Sequence, residues 1–373
     1  MPAPLRVLLM SYCLDAGGTE RQLTEMARAL DRSRFEPHVG SFHPEGLRGD
    51  ELQAEDVPVT QFAVRSFCSP STLGAALAMR RYLHQHRIDL VHTYDFPTNI
   101  FGVPTARACR IPVVISSQRS YRGLMPDIYR RLLRFTDRVV DGIVVNARAI
   151  ERTLITEEKV PPERLHLCYN GLQTEIFFPR PSGPVAAVDV VTISSLSVLR
   201  PEKSLETLIE AFAHVRSLFP RTELVIVGGG PKLQELQALA ARLGLGASCR
   251  FEPVTRQVAE RLRRMDIFVL PSLSAALSNS LMEAMACGCC VVASDVGGNS
   301  ELVADGKTGL LFRAGDVAHL KEKLCLLLSQ PGLRHRYAEA GARFIRENFS
   351  LEASVRRMES IYSLLWERRY RTR

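Results

Sequence analysis

What the sequence withholds narrows it first. No stretch approaches the roughly 20 consecutive apolar residues of a membrane-spanning helix, so no span is expected. The N-terminus "MPAPLRVLLMSYCLDAGG" has one Arg and a short apolar run ending in a Gly pair, with no cleavage pattern. It reads as a first strand rather than a secretion signal. Low-complexity segments and short-period repeats are absent, which argues against disorder and solenoids. Cysteine forms no framework: nine residues, an odd number, are scattered at 13, 68, 109, 168, 249, 287, 289, 290 and 325. Such usage points to reduced thiols in a cytosol. Only "CGCC" at 287 to 290 suggests a metal, and no second Cys or His cluster stands at finger spacing. Small residues packed at a helix-to-strand turn are the better reading.

What is present fits a two-domain globular protein. The chain has 373 residues, 46% hydrophobic and 24% charged, enough for two ordinary cores. Its net charge of +8 asks for an explanation. Nucleic acid is not expected, because no recognition motif or aromatic-interleaved basic strip appears. The basic residues gather in "RSYRGLMPDIYRRLLRFTDR", 119 to 138, and in "WERRYRTR", 366 to 373. The first sets Ile128, Leu132, Leu133 and Phe135 beside Arg130, Arg131 and Arg134. That pattern suits either an anionic membrane surface or an ordinary solvated helix face.

Short apolar runs alternate with helix-period segments, the pattern of parallel sheets with crossover helices. The first half predicts strands at "RVLLMS", "EPHVGSF", "VTQFAV", "IDLVHTY", "PVVISS", "GIVVNA" and "LHLCYN". Leu23, Met26, Ala27 and Leu30 give the helix after the first strand one apolar face. "NGLQTEIFFPRPSGP" then gathers Gly, Pro and Ser, and the alternation restarts. Further strands are predicted at "VDVVTISSL", "TELVIVGGGP", "CRFEPV", "DIFVLPS", "CCVVASDV" and "GLLFRAG", with only helices beyond about 316.

Four short stretches are candidates for chemistry. "DAGGTERQ" places Gly17 and Gly18 between a strand and a helix, as an anion seat or simply a tight turn. "VGGGP" at 227 to 231 lacks the third glycine of a dinucleotide fingerprint, which argues against a nicotinamide enzyme. "LRPEKSLETL" sets Arg200 and Lys203 in a turn before a helix, within reach of a phosphate or facing solvent. "PSLSAALSNSLMEAMACG" carries a single acid, Glu283, on an otherwise apolar helix. A charge buried there costs several kcal/mol unless something compensates it. One turn into a helix whose N-terminus can hold an anion, it suits the hydroxyls of a ribose.

Taken together, "GGTERQL", "DLVHTYDF", "NGLQTEIFFP", "LRPEKSLETLIEAF", "NSLMEAMACG" and "ELVADGKTGLLF" resemble retaining glycosyltransferase family 4 over nearly the whole chain. The resemblance implies an α/β protein of the GT-B fold, two doubly wound Rossmann-like domains facing a central cleft. It implies an acceptor-side domain at 1–180, a nucleotide-sugar-binding domain at 181–345, and a C-terminal helix at 346–373 packing back toward the first. Glu283 would then meet the ribose and Lys203 the diphosphate, with Arg200 beside it. Backbone at Asn279, Ser280 and Leu281 would add phosphate contacts, and Gly17 and Gly18 would close over them. No metal or cofactor is implied, and the acceptor would attack from the leaving-group face.

Three departures stand out. The family signature carries a second glutamate seven intervening residues before Glu283, where this chain has Ala275. Ala275 disables the enzyme, marks a substitution, or leaves the work to another group. Val198 stands where many members have Arg, and Tyr94 where many have His. Tyr94, Asn99 and Arg119 are the acceptor-side candidates, Arg119 with a structural ion pair as its alternative, whereas His92 reads as a paired core histidine. The implied activity moves a sugar from a nucleotide donor, a UDP-sugar, to a lipid-linked or polysaccharide-type acceptor. It would do so in the cytoplasm, at the inner face of a membrane. The alternatives are a catalytically silent nucleotide-sugar-binding protein and a transferase for a small soluble acceptor.

Overall fold

The computed structural model describes residues 3–67, 69–180 and 190–371. Cys68, the 181–189 part of the Pro- and Gly-rich stretch and following strand start, and the last two residues of the basic tail lie outside them. The chain divides into two units, Met1–Gly171 with Leu351–Arg373, and Leu172–Ser350.

The first unit is built on seven strands: β1 (Leu5–Cys13), β2 (Phe35–His43), β3 (Val59–Gln61), β4 (Leu90–Thr93), β5 (Val113–Gln118), β6 (Gly142–Val145) and β7 (Leu165–Leu167). They form one parallel sheet in the order β3-β2-β1-β4-β5-β6-β7. The apolar run "VLLM" in β1 is fully buried because helices cover both sheet faces. The helices are α1 (Gly18–Ala29), α2 (Leu47–Gln53), α3 (Pro70–Gln85), α4 (Phe96–Ala108), α5 (Asp127–Val139) and α6 (Arg148–Thr156). Strand alternation sends Val7 and Leu9 toward α1, while Met10 lies against α4 at Gly102.

The second unit has β8 (Val191–Leu196), β9 (Thr222–Val227), β10 (Cys249–Glu252), β11 (Ile267–Leu270), β12 (Cys290–Ser294) and β13 (Leu310–Phe312). These are parallel in the order β10-β9-β8-β11-β12-β13. Its helices are α7 (Leu205–Leu218), α8 (Leu233–Arg242), α9 (Val258–Leu262), α10 (Asn279–Ala286), α11 (Asn299–Leu302), α12 (Val317–Ser329) and α13 (Pro331–Asn348). Leu205, Leu208, Ile209 and Phe212 of α7 share one core with β8, β9 and β11.

The division falls earlier than the composition shift near 180. Residues just after Gly171 are tied to the second unit: Leu172 N–H donates to Phe349 O at 2.9 Å, and Arg263 stacks over Phe178. The final helix, α14 (Leu351–Arg371), belongs instead to the first unit. Val355, Met358, Ile361, Tyr362 and Leu365 enter the core formed by β1 and α1.

Candidate active site

In an open parallel sheet, ligands bind beyond the strand ends where the winding direction reverses. In the second unit that point lies between β8 and β11, so the loops after these two strands frame the candidate site. Local packing fixes both loops. The glycines of "VGGGP" let the β9 turn press against the β8 loop: Leu199 N–H donates to Gly229 O at 2.9 Å and Lys232 N–H to Leu199 O at 3.1 Å. A Cβ on Gly228 would stand 2.0 Å from Ser197 O, and one on Gly230 2.6 Å from Leu199 O. The β11 loop is pinned in turn. Ser294 Oγ donates to Ser272 O at 2.5 Å, and Gly298 N–H lies 2.8 Å from Ala276 O and 3.2 Å from Ala275 O.

Two cations stand at this point, Lys203 and Arg200. Lys203 ends a 3₁₀ turn over Pro201–Lys203 and is half-buried, while Arg200 before it is exposed. Neither makes an ion pair among the described residues. Burial lowers the ammonium pKa of Lys203 below its usual value; Glu202 opposes that shift and Arg200 adds to it. Ser204 follows with φ of 48°, and its hydroxyl lies 2.9 Å from that of Thr207 as α7 begins.

α10 starts from the other loop. Ser278 caps it, its Oγ accepting from Leu281 N–H at 3.3 Å and lying 3.2 Å from Ser280 Oγ. Here the Leu281 N–H donates to the cap, and its side chain is fully buried. Asn279 and Ser280 are partly exposed in the first turn. Glu283 lies one turn further in, 5% exposed among apolar neighbours. Ala275 presents only a methyl group. The CGCC run is packed inside: Cys287, Cys289 and Cys290 are buried, with burial pushing the Cys287 thiol up to about 12. Among the described residues no three His, Cys, Asp or Glu side chains come together as metal ligands.

In the first unit the candidates separate. Gly17 is the N-cap of α1, and the carboxylate of Glu20 folds over the place where its Cβ would be. Gly18 opens the helix. Tyr94 and Asn99 were expected near an acceptor, yet both are interior: Tyr94 is 1% exposed against His92, and Asn99 accepts from Thr93 Oγ1 and donates to Ser117 O at 3.0 Å. The Asn99 amide is bonded within the unit, whereas the buried Tyr94 hydroxyl has no hydrogen-bond partner among the described residues. His92 is a paired core histidine, 2.7 Å from Tyr362 Oη and 2.9 Å from Ser117 Oγ, with burial lowering its pKa to about 3. Arg119 is half-buried over the Tyr94 ring and donates to Asn170 Oδ1 at 2.6 Å. It has no ion pair among the described residues.

Comparison with known proteins decides the family. Residues 16–176 match the model for Glycosyltransferase Family 4, and residues 185–344 the model for Glycosyl transferases group 1. The chain belongs to glycosyltransferase family 4. This family 4 chain is 27% identical over 353 residues to the D-inositol 3-phosphate glycosyltransferase of Streptomyces bingchenggensis, covering 87% of this chain and 74% of that protein. It is 26% identical over 363 residues to the N-acetyl-alpha-D-glucosaminyl L-malate synthase of Bacillus anthracis, covering 93% of each. Anabaena HepE, solved in complex with UDP and glucose, superposes with a TM-score of 0.85 at 20% identity, covering 96% of this chain and 99% of that one. The fold is GT-B.

The loops at the reversal point also hold polar groups the motifs did not single out. Ser195 and Ser272 are fully buried at the ends of β8 and β11, and their hydroxyls have no hydrogen-bond partner among the described residues; nor does that of Ser197. Buried hydroxyls are normally paired. Three such groups gather at the reversal point of the second sheet. The visible signal was a run of serines, "SSLS", ending an otherwise apolar strand.

Proposed function

We propose that this family 4 chain transfers a glycosyl group, with retention of configuration, from a UDP-sugar to a hydroxyl of a lipid-linked or polysaccharide-type acceptor. The observation that carries the donor half is the pair of cations, Lys203 and Arg200, that make no ion pair among the described residues and stand at the sheet reversal of the second unit. A half-buried ammonium next to a second cation is relieved by a diphosphate. The stabilisation grows as the bond from the anomeric carbon to the phosphate oxygen breaks and that oxygen takes the electron pair. The acceptor oxygen bonds to the anomeric carbon from the same face, and its proton passes to the departing phosphate. Asn279, Ser280 and the α10 N-terminus add to the anion's field, and Glu283 takes the ribose. The reading calls for no metal. HepE bound to UDP and glucose supports uracil as the base. Among the described residues no helix is long and apolar enough to cross a membrane. A lipid-linked acceptor would be met at the inner face of a membrane.

Ala275 bears on rate. A methyl group neither accepts a sugar hydroxyl nor stabilises positive charge developing at the anomeric carbon, so this chain binds donor better than it turns it over. A silent binding protein is the limit of that trend. The test sets the chain beside Ala275→Glu, titrating each with UDP- and GDP-sugars and following nucleotide release. Equal donor affinity with faster turnover in the Glu variant supports the assignment. Equal turnover in both removes the role given to position 275, and failure of both to bind any donor sinks the reading.

A further inference from the structure

The first sheet also reverses its winding, between β1 and β4, and β1 ends there in an aromatic residue that faces water. The strand is sealed from Val7 to Ser11, yet Tyr12 is 43% exposed. Its ring is nevertheless held. Alternation along β1 places it on the face of Met10, which α4 covers. There it makes T-shaped contacts with Phe42 and His43, the ring centres 5.9 and 5.1 Å away. Phe42 rests in turn on Phe101 of α4 at 5.4 Å. The backbone is fixed as well: Tyr12 N–H donates to Asp95 Oδ2 at 2.6 Å, and Tyr12 O accepts from Ser41 Oγ at 3.2 Å. A braced aromatic ring left in water at a sheet reversal, where folds of this kind collect their ligands, is a platform.

The groups on the adjoining loops are hydrogen-bond acceptors of one charge. The loops after β1 and β2 are joined: Leu14 N–H donates to His43 O at 3.0 Å, and Arg48 N–H to Leu14 O at 2.9 Å. A Cβ on Gly46 would stand 2.9 Å from Asp15 Oδ1. On these loops Asp15 and Glu45 are exposed, and Glu20 in the first turn of α1 accepts from Cys13 Sγ at 3.4 Å. None of these three carboxylates makes an ion pair among the described residues, in a chain of net charge +8. Arg48 beside them is taken up by Glu51.

We infer that Tyr12 is the stacking platform for an uncharged pyranose ring of the acceptor. A pyranose is polar at its rim and apolar on its faces, where the C–H hydrogens are slightly positive. The face of a phenol ring is apolar and negative, so the two surfaces match. Asp15, Glu20 and Glu45, which only accept hydrogen bonds when ionised, are there for hydroxyls at the rim. The same three charges repel a uronate or a sugar phosphate, so a neutral ring is selected. The inference deepens the proposed function and rests on it in one respect, that the first unit binds a sugar-bearing acceptor.

The experiment is saturation-transfer NMR of the full chain with the methyl α-glycosides of D-glucose, D-galactose and D-mannose, and with methyl α-D-glucuronide as the charged probe. At least one neutral glycoside should receive saturation, and the glucuronide should bind at least about fivefold more weakly than it. Tyr12→Ala should weaken the neutral glycoside about tenfold, the loss that follows removal of an aromatic anchor. Tyr12→Phe keeps the ring and should bind as the parent does, while an unchanged melting temperature confirms that both variants fold. Saturation of no neutral glycoside by the parent chain overturns the inference. So does affinity untouched by Tyr12→Ala, or an equal loss in Tyr12→Phe, which would give the contact to the hydroxyl. A glucuronide bound as tightly as the neutral ring overturns the selection of charge. UDP titration of the same samples keeps the two readings apart. Glycoside binding without UDP binding refutes the donor reading alone, and UDP binding without glycoside binding refutes the platform alone.

Discussion

The backbone N–H of Leu273 donates to the carbonyl of Glu202 at 2.8 Å, joining the loop after β11 to the turn that ends in Lys203. Through this bond the segment bearing Ala275 and the lysine proposed for the diphosphate are held in one register. A catalytic site gains from such support because misplacement by an ångström costs rate steeply.

Lys203→Ala should weaken UDP binding about 10- to 100-fold, the range of a lost charge-assisted hydrogen bond of about 1.5–3 kcal/mol. Lys203→Arg should recover part of it. The ammonium binds phosphate only when protonated, so affinity holds at low pH and falls as pH rises through the Lys203 pKa. Burial has moved that pKa below the ordinary lysine value, and the fall therefore starts earlier than for an exposed lysine. Calorimetric titration with UDP across pH reads both effects, and an unchanged affinity in the Ala variant would remove Lys203 from the site.

Gly228→Ala should destabilise the second unit and loosen donor binding together. The glycine has φ of 149°, and an added Cβ would collide with the backbone oxygen of Ser197 rather than with a movable side chain. The expected cost is at least about 1–3 kcal/mol, that of backbone strain at such a position. A lower melting temperature with raised Kd for UDP is the expected pair of changes; either alone would separate the turn's structural role from its support of the β8 loop.

Acid should destabilise the first unit through its buried histidines. His92 titrates at about 3 and His166 at about 4 when folded, both held down mainly by burial. Unfolded, each takes its proton near 6.5. Between these values the unfolded chain binds more protons, so stability is present above about pH 6.5 and is lost as pH falls, at about 1.4 kcal/mol per pH unit for each histidine. Urea midpoints measured from pH 7 to pH 4 should show this slope. His92→Asn should flatten it even where its absolute stability is lower, and an unaltered slope would place the acid sensitivity elsewhere.

The strands were legible because a parallel sheet covered on both faces writes each one as an uninterrupted apolar run, and "VLLM", "IFVL" and "CVVAS" are such runs. Glu283 and Lys203 were legible as charges out of keeping with their surroundings. What stayed hidden depends on contacts distant in sequence. Tyr94 and Asn99 read as acceptor-side candidates, and only the burial of Tyr94 against His92 and the bond from Asn99 to Ser117 show an interior. "VGGGP" is mute until Ser197 and Leu199 are seen against it. The 172–180 segment reads as linker by composition, but Phe178 beneath Arg263 ties it to the second unit.

Because α14 supplies part of the first unit's core, that unit begins the chain but is completed by a helix that comes after the whole second unit. During synthesis, β1 and α1 leave the ribosome before α14 exists, while the second unit is one contiguous segment, Leu172–Ser350. The half emerging first is therefore finished last. A nascent chain stopped before Tyr362 would carry an open apolar surface for chaperones and proteases to find, so the closing helix also certifies that translation reached it.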